Sequence, residues 1–326
     1  MAGVSARTFG RFLAVLLAMA VVSPLWSAEG AGKPGKKLIY FTKSSGFQHS
    51  AVARKDGQLA YSEKVLVELG KKHGYEIVPT KDGSNLDPGK IGQWDGFLFY
   101  ATGDLTKPAN EKTGDTEPPI SPAGKKALLD AIAAGKPFIG VHAGNDAFRL
   151  GGYDPFIEML GGEFASHGAQ QKSWSRIVDS KFPGLEGLQD FELMEEWYTP
   201  KNLHSDLHVI IAQDTKGMKG PQYETRPAYP ATWARMHGKG RVFYTSLGHR
   251  EDVWDNPIMH QVLLAGIRWG LGETQADVSP NLKKASPQPA EFMAPAPGTA
   301  PAAEKKAAGK KPGGKKGAKK AATEAK

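Results

Sequence analysis

"PFIGVHAGND", residues 137–146, is an apolar run that stops at a small-residue turn with one imidazole set in it. Gly140 and Gly144 flank His142 two residues before and two after. A strand ending this way has two readings. It is a strand-to-helix elbow that raises a reactive side chain, or a sheet capped by a histidine bonded to a nearby carbonyl. If "NDAFRL" (145–150) opens a helix, backbone N–H groups and a partial positive charge lie beside the ring. Imidazole placed there can act as general base or metal ligand.

The text on either side of this stretch alternates between strand and helix patterns. "KKLIYFTK" (36–43), "YEIVPT" (75–80) and "WDGFLFYAT" (94–102) are compact apolar strands. Between them, "YSEKVLVELGKKHG" (61–74) puts Val65, Leu66 and Leu69 at helical spacing and stops at glycine. "SPAGKKALLDAIAAGK" (121–136) is a second helix, opened by Ser-Pro. Apolar strands separated by helices predict an α/β fold with a mostly parallel central sheet covered on both faces. The second half is denser in strands: "WSRIVD", "FELMEEWY", "HVIIAQD" and a hairpin turning at residues 238–240, before a last helix from Pro257.

Ligands in such sheets sit where the parallel strands end, so polar text just after strand text marks the candidates. His49 follows the first strand in "SSGFQHS", a loop able to fold over a ligand. His249 closes "RVFYTSLGH", with Glu251 two residues on; a carboxylate on one ring nitrogen would set the tautomer of the other. In "MEEWY" (194–198), strand alternation sends Glu195 and Glu196 to opposite faces, so at most one meets a pocket. Glu196 would then share a face with Tyr198, a carboxylate beside a ring that can cover an apolar sugar face. Asn145 and His167, the latter in "GGEFASHG", complete the residues expected to bind substrate. Each of these also has a plain structural reading, as a loop, cap or solvated side chain. His204 and His208 are four apart but run into strand text, where that spacing is about 13 Å, too far for chelation.

Composition prunes the chemistry. The 326 residues contain no cysteine, which excludes thiol nucleophiles, thiolate zinc sites, iron–sulfur clusters, disulfides and lipoprotein acylation. There is no GxSxG elbow and no phosphate loop. Residues 283–326 carry eleven lysines against three glutamates, and residues 1–37 carry five basic residues against one acidic. The net charge of +8 therefore belongs to the ends, and residues 38–282 are mildly acidic. No specific nucleic-acid partner is expected.

The ends read as non-globular. Arg7 and Arg11 precede "FLAVLLAMAVVSPLWSA", an apolar run too short to span a bilayer and followed by small residues, as in a secretory signal peptide over 1–28. An uncleaved anchor is the alternative. The protein is thus expected to be exported, to the periplasm or outside the cell. A short linker (29–36) leads to a domain over 37–275. Residues 276–326, rich in Pro, Ala and Lys, are expected to be a disordered tail. That tail is a solvated spacer or a contact for an anionic membrane or wall surface.

"GFQHSA", "PFIGVHAG", "GGEFASH", "MEEWY" and "GRVFYTSLGH" together resemble the ThuA-like, or trehalose-utilisation, family over residues 37–272. The family is similar to class I glutamine amidotransferases, a flavodoxin-like three-layer sandwich. In those enzymes a nucleophilic cysteine occupies the glycine-flanked turn, with His-Pro-Glu late in the chain. Here His142 stands in the cysteine's place and "HRE" supplies His249 and Glu251, with Arg250 instead of proline, so glutaminase chemistry is lost. The resemblance implies catabolism of trehalose or a related disaccharide, including sugars oxidised at carbon 3, whose C–H bonds beside the carbonyl are acidic. His142, His249, Glu251 and Glu196 would then be acid–base groups, or His142, His249 and His49 ligands of a divalent metal. The competing reading is a non-catalytic carbohydrate-binding module on the same fold.

Overall fold

A computed structural model of the chain describes residues 35–109, 113–149, 152–224 and 227–295. The expected signal peptide, nearly all of the linker and the tail from residue 296 lie outside them. The first half runs β1 (Lys36–Phe41), α1 (Tyr61–Lys72), β2 (Tyr75–Thr80), β3 (Gly96–Phe99), the two-residue β4 (Thr102–Gly103), α2 (Pro122–Ala133), β5 (Phe138–Val141), the two-residue β6 (Asp146–Ala147) and α3 (Pro155–Leu160). The second half runs β7 (Glu163–His167), β8 (Gln171–Ile177), β9 (Phe191–Glu195), β10 (Tyr198–Lys201), β11 (His208–Gln213), α4 (Pro221–Glu224), β12 (Tyr229–His237), β13 (Gly240–Thr245), α5 (Glu251–Trp254), α6 (Pro257–Gly270) and α7 (Leu282–Ala285).

Local chemistry starts the long helices where the sequence predicts. Glu63 reaches back to accept the Ala60 N–H at the head of α1. Ser121 and Asn256 accept the Gly124 and Ile258 amides, each ahead of a proline at the first helical position. Nine strands form one sheet in the order β2-β1-β3-β5-β13-β12-β11-β8-β9. The first five are parallel, in the 2-1-3-4-5 order of doubly wound sheets, and the last four are antiparallel. The α/β expectation therefore holds with a mixed sheet: the strand-dense second half extends the parallel half. Helices cover both faces. Leu38, Tyr40 and Ile139 pack with Leu66, Leu69, Val262 and Ile267 on one side. Ile39, Phe99 and Phe138 pack with Leu128, Ile132 and Phe156 on the other.

Register positions the site. Phe41 lies beside Phe99, Phe99 beside Gly140, and Val141 beside Thr245. The loops after β1, β3, β5 and β13 thus leave the sheet at one level. The tail differs from expectation: residues 276–295 lie against the domain, with Leu282 buried and Leu203 bridged to Met293. Among the described residues, no helix is long and apolar enough to cross a membrane.

Candidate functional site

His142 opens a short 3-10 turn, His142–Asn145, directly after β5. It is wholly buried and takes a left-handed φ of 44°, rare for a residue with a Cβ. The flanking glycines serve space rather than torsion. A Cβ on Gly144 would lie 2.7 Å from the Phe99 carbonyl oxygen, and one on Gly140 2.9 Å from the Tyr244 ring. The elbow is real, but the α-helix expected from "NDAFRL" is not formed. Asp146 and Ala147 instead pair with Thr102 and Gly103, and the next helix waits until Pro155. Nδ1 of His142 lies 2.7 Å from the Ser246 carbonyl. A carbonyl can only accept, so this nitrogen carries the hydrogen and Nε2 is left to face the site.

Three other segments converge on that Nε2. Nδ1 of His249, after β13, is 3.3 Å away. Oε2 of Glu196, between β9 and β10, is 3.6 Å from it and 3.0 Å from Nδ1 of His249. Nε2 of His49, from the loop after β1, lies 3.9 Å from the same carboxylate oxygen and 3.3 Å from the Tyr198 hydroxyl. One atom from each of His49, His142, Glu196 and His249 falls within 4.8 Å of the rest. His167 holds the other carboxylate oxygen, with Nδ1 at 3.2 Å from Oε1.

The shell behind these groups is tied down. Asp115 accepts the Ser44 amide (2.9 Å) and the Gln48 side-chain amide (3.0 Å) and pairs with buried Lys81, pinning the loop that carries His49. Glu195, the last residue of β9, points to the backbone after β13 rather than into the site. Its carboxylate accepts the backbone N–H groups of Gly248 (2.9 Å) and His249 (3.3 Å). Burial pushes the Glu195 carboxyl up to about 7, with these N–H groups opposing. The expected strand over 191–198 is broken at Glu196–Trp197, which frees Glu196 to enter the site.

Burial and the neighbouring imidazoles hold His49 well below the usual histidine range. Burial likewise lowers His142, despite its contact with Glu196. In His249 the hydrogen bond and charge of Glu196 outweigh burial, and its pKa is raised. For Glu196 itself burial works upward, yet the neighbouring His142 and His249 imidazoles hold the carboxyl well below the usual range.

A cavity of about 370 Å³ opens beside the cluster. His49, Glu196, His167 and Tyr198 form one wall; Asp146 and Arg149, with Phe47 and Phe164, form the rest. Phe47 stands 67% exposed at the rim, edge-on to His49. Arg149 pairs with Oδ1 of Asp146 at 2.8 Å. Burial, opposed by Arg149, pushes the Asp146 carboxyl up to about 6.

His142, His249, His49, Glu196, Tyr198 and His167 are thus brought together. Two expected residues are not. Glu251 opens α5 and lines a separate cleft with Ser50, Lys55 and Tyr61, so the carboxylate of the site is Glu196. Asn145 is fully buried in the turn, its amide without a hydrogen-bond partner, and does not line the cavity. His204 and His208 lie apart, His208 against Asp179 and His204 against Glu158. Asp146, Arg149 and Phe47 were not singled out from sequence. Asp146 sat within "GVHAGND", and its position after a strand was the available signal.

The family model described as Trehalose utilisation, ThuA, matches residues 37–270. The fold is similar to the crystal structure of a ThuA-like protein from Bacteroides uniformis ATCC 8492, at 17% identity and a TM-score of 0.56, covering 73% of this chain and 92% of that one. It is also similar to a ThuA-like protein from Parabacteroides merdae ATCC 43184, at 16% identity and a TM-score of 0.55, covering 80% and 99%. No curated protein matches the chain.

Proposed function

The chain belongs to the ThuA, or trehalose-utilisation, family, and from that premise we propose that it is an enzyme acting on a disaccharide of the trehalose class, in plain or 3-keto form. The same relation favours the amidotransferase-like three-layer arrangement. One observation carries the functional reading: three imidazoles and one carboxylate, from four distant segments, meet beside a cavity that His49 and Glu196 line together with aromatic rings and the ion-paired carboxyl of Asp146.

Each wall has a chemical task. Phe47 and Phe164 can cover apolar ring faces of a sugar, while Arg149 and His167 offer donors to its hydroxyls. A substrate oxygen set against Arg149 meets a guanidinium that stabilises negative charge as it develops. With a 3-keto sugar, a wall base removes the proton on carbon 2. The C–H electrons move onto the ketone oxygen as an enediolate, then return to expel the glycosidic oxygen from carbon 1, which takes up a proton. Asp146, with its carboxyl near 6, is suited to accept and return that proton near neutral pH.

Purified protein incubated with trehalose and with its 3-keto derivative, followed by NMR, tests the proposal. Conversion of one of them is expected, falling by about 10²-fold or more in Asp146→Asn with the fold retained. Sugar that binds but stays unchanged over hours identifies a carbohydrate-binding module and overturns the enzyme reading.

A further inference from the structure

The four-residue cluster has the dimensions of a coordination shell. A tetrahedral ion bound at about 2.0–2.2 Å sets its ligand atoms about 3.3–3.6 Å apart. Four of the six separations lie around that edge, 3.0 Å from His249 to Glu196, 3.3 Å from His249 to His142, 3.6 Å from His142 to Glu196 and 3.9 Å from His49 to Glu196, and the two from His49 to the other imidazoles stay within 4.8 Å. We propose that Nε2 of His49, Nε2 of His142, Nδ1 of His249 and Oε2 of Glu196 bind one divalent ion of the zinc class.

Two independent features support the assignment. First, His142 has the outer contact that a ligating imidazole requires. Nδ1 of His142 is committed to the Ser246 carbonyl, which fixes the tautomer that leaves Nε2 free to ligate. The free oxygen of Glu196 is held by His167, and Glu195 fixes the backbone that carries His249. Second, access is one-sided. His142 is sealed in the interior, whereas His49 and Glu196 line the cavity. A substrate oxygen approaching from there would become a fifth ligand, an expansion zinc permits. With no cysteine in the chain, the donor set is imidazole and carboxylate, which fits Zn²⁺, Co²⁺ or Fe²⁺ rather than a soft ion.

The claim stands on geometry and does not depend on the sugar chemistry. Full-length protein is stripped with a chelator and titrated with ZnCl₂ by calorimetry, then with CoCl₂ while the visible spectrum is recorded. The expected result is one ion per chain, four- or five-coordinate Co²⁺ bands, and a raised Tm. Glu196→Gln, nearly isosteric, and His49→Ala, at the cavity wall, should each lose affinity by at least about 100-fold while keeping their circular dichroism. Absence of stoichiometric binding overturns the site, as does binding in both variants equal to the parent's. A chain that binds zinc but leaves both sugars untouched overturns the functional proposal and leaves the metal site standing.

Discussion

Asp146 shows how one side chain couples the site to stability. Its carboxyl is raised from 3.8 to about 6 by burial, against the pull of Arg149. Between those values the folded protein holds a proton that the unfolded chain has released. Stability from this group is therefore full below about pH 4 and is lost as pH rises through 6. Two pH units correspond to an upper limit of about 3 kcal/mol. Asp146→Asn should match the parent near pH 4 and exceed it by up to that amount at pH 7. Urea unfolding of both proteins across this range checks it; a pH-independent difference would refute the assignment. At this scale the sequence was legible for residues whose type is rare and whose place is marked. Each histidine of the cluster stood in polar text after a strand, and cysteine's absence narrowed the rest. Asp146 was obscured because one more acidic residue in a polar loop has no signature. Glu251 misled because closeness in sequence to His249 stood in for closeness in space.

The strand–turn unit at β5 carries a lesson about glycine. Gly140 and Gly144 were readable as punctuation, but not as the reason for it. Neither has a positive φ, and His142 between them does. The glycines let the turn lie against β3 and β13, and that packing holds His142 in its strained conformation. Gly144→Ala would drive a methyl to 2.7 Å from backbone that cannot swing aside. A loss of about 1–3 kcal/mol is expected, with weaker Zn²⁺ binding because the His142 ring moves with its backbone. Gly89→Ala, where a Cβ meets nothing within 4 Å, should stay within about 0.5 kcal/mol of the parent. Equal effects in thermal and denaturant melts would refute this account. The helix read after Asn145 failed for a tertiary reason: Asp146–Ala147 pair with Thr102–Gly103, and Phe148 takes a left-handed φ of 57° that an α-helix does not allow.

Over the whole molecule, local pattern located strands and helices but not their partners. The parallel half follows from alternation, because each crossover helix returns the chain beside its neighbour. The antiparallel half depends on pairings far apart in sequence, such as β8 with both β9 and β11, and these bring Glu196 back over the parallel strands. The tail illustrates the same limit. Its composition shows that it cannot fold alone, yet residues 276–295 need only a surface prepared for them. β8 pairs with β11 only at Ile211–Gln213, and Asn281 fills the gap beyond. Its side chain accepts the Val209 N–H at 2.7 Å and donates to the Val209 carbonyl at 2.9 Å. Ser279 takes a hydrogen bond from His208, Leu282 is buried, and Leu203 exchanges backbone bonds with Phe292 and Ala294. A chain ending at 295 should therefore melt like the full-length protein. One ending at 275 exposes the Leu282 pocket, about 1.5–3 kcal/mol, and orphans a backbone pair in β11, about 1–3 kcal/mol more. Ordering the strap offsets part of this, so a net loss of at least about 2 kcal/mol is expected. Denaturant midpoints of the two truncations decide the matter: if both match full length, the strap is a passive covering and the domain ends where its composition suggested.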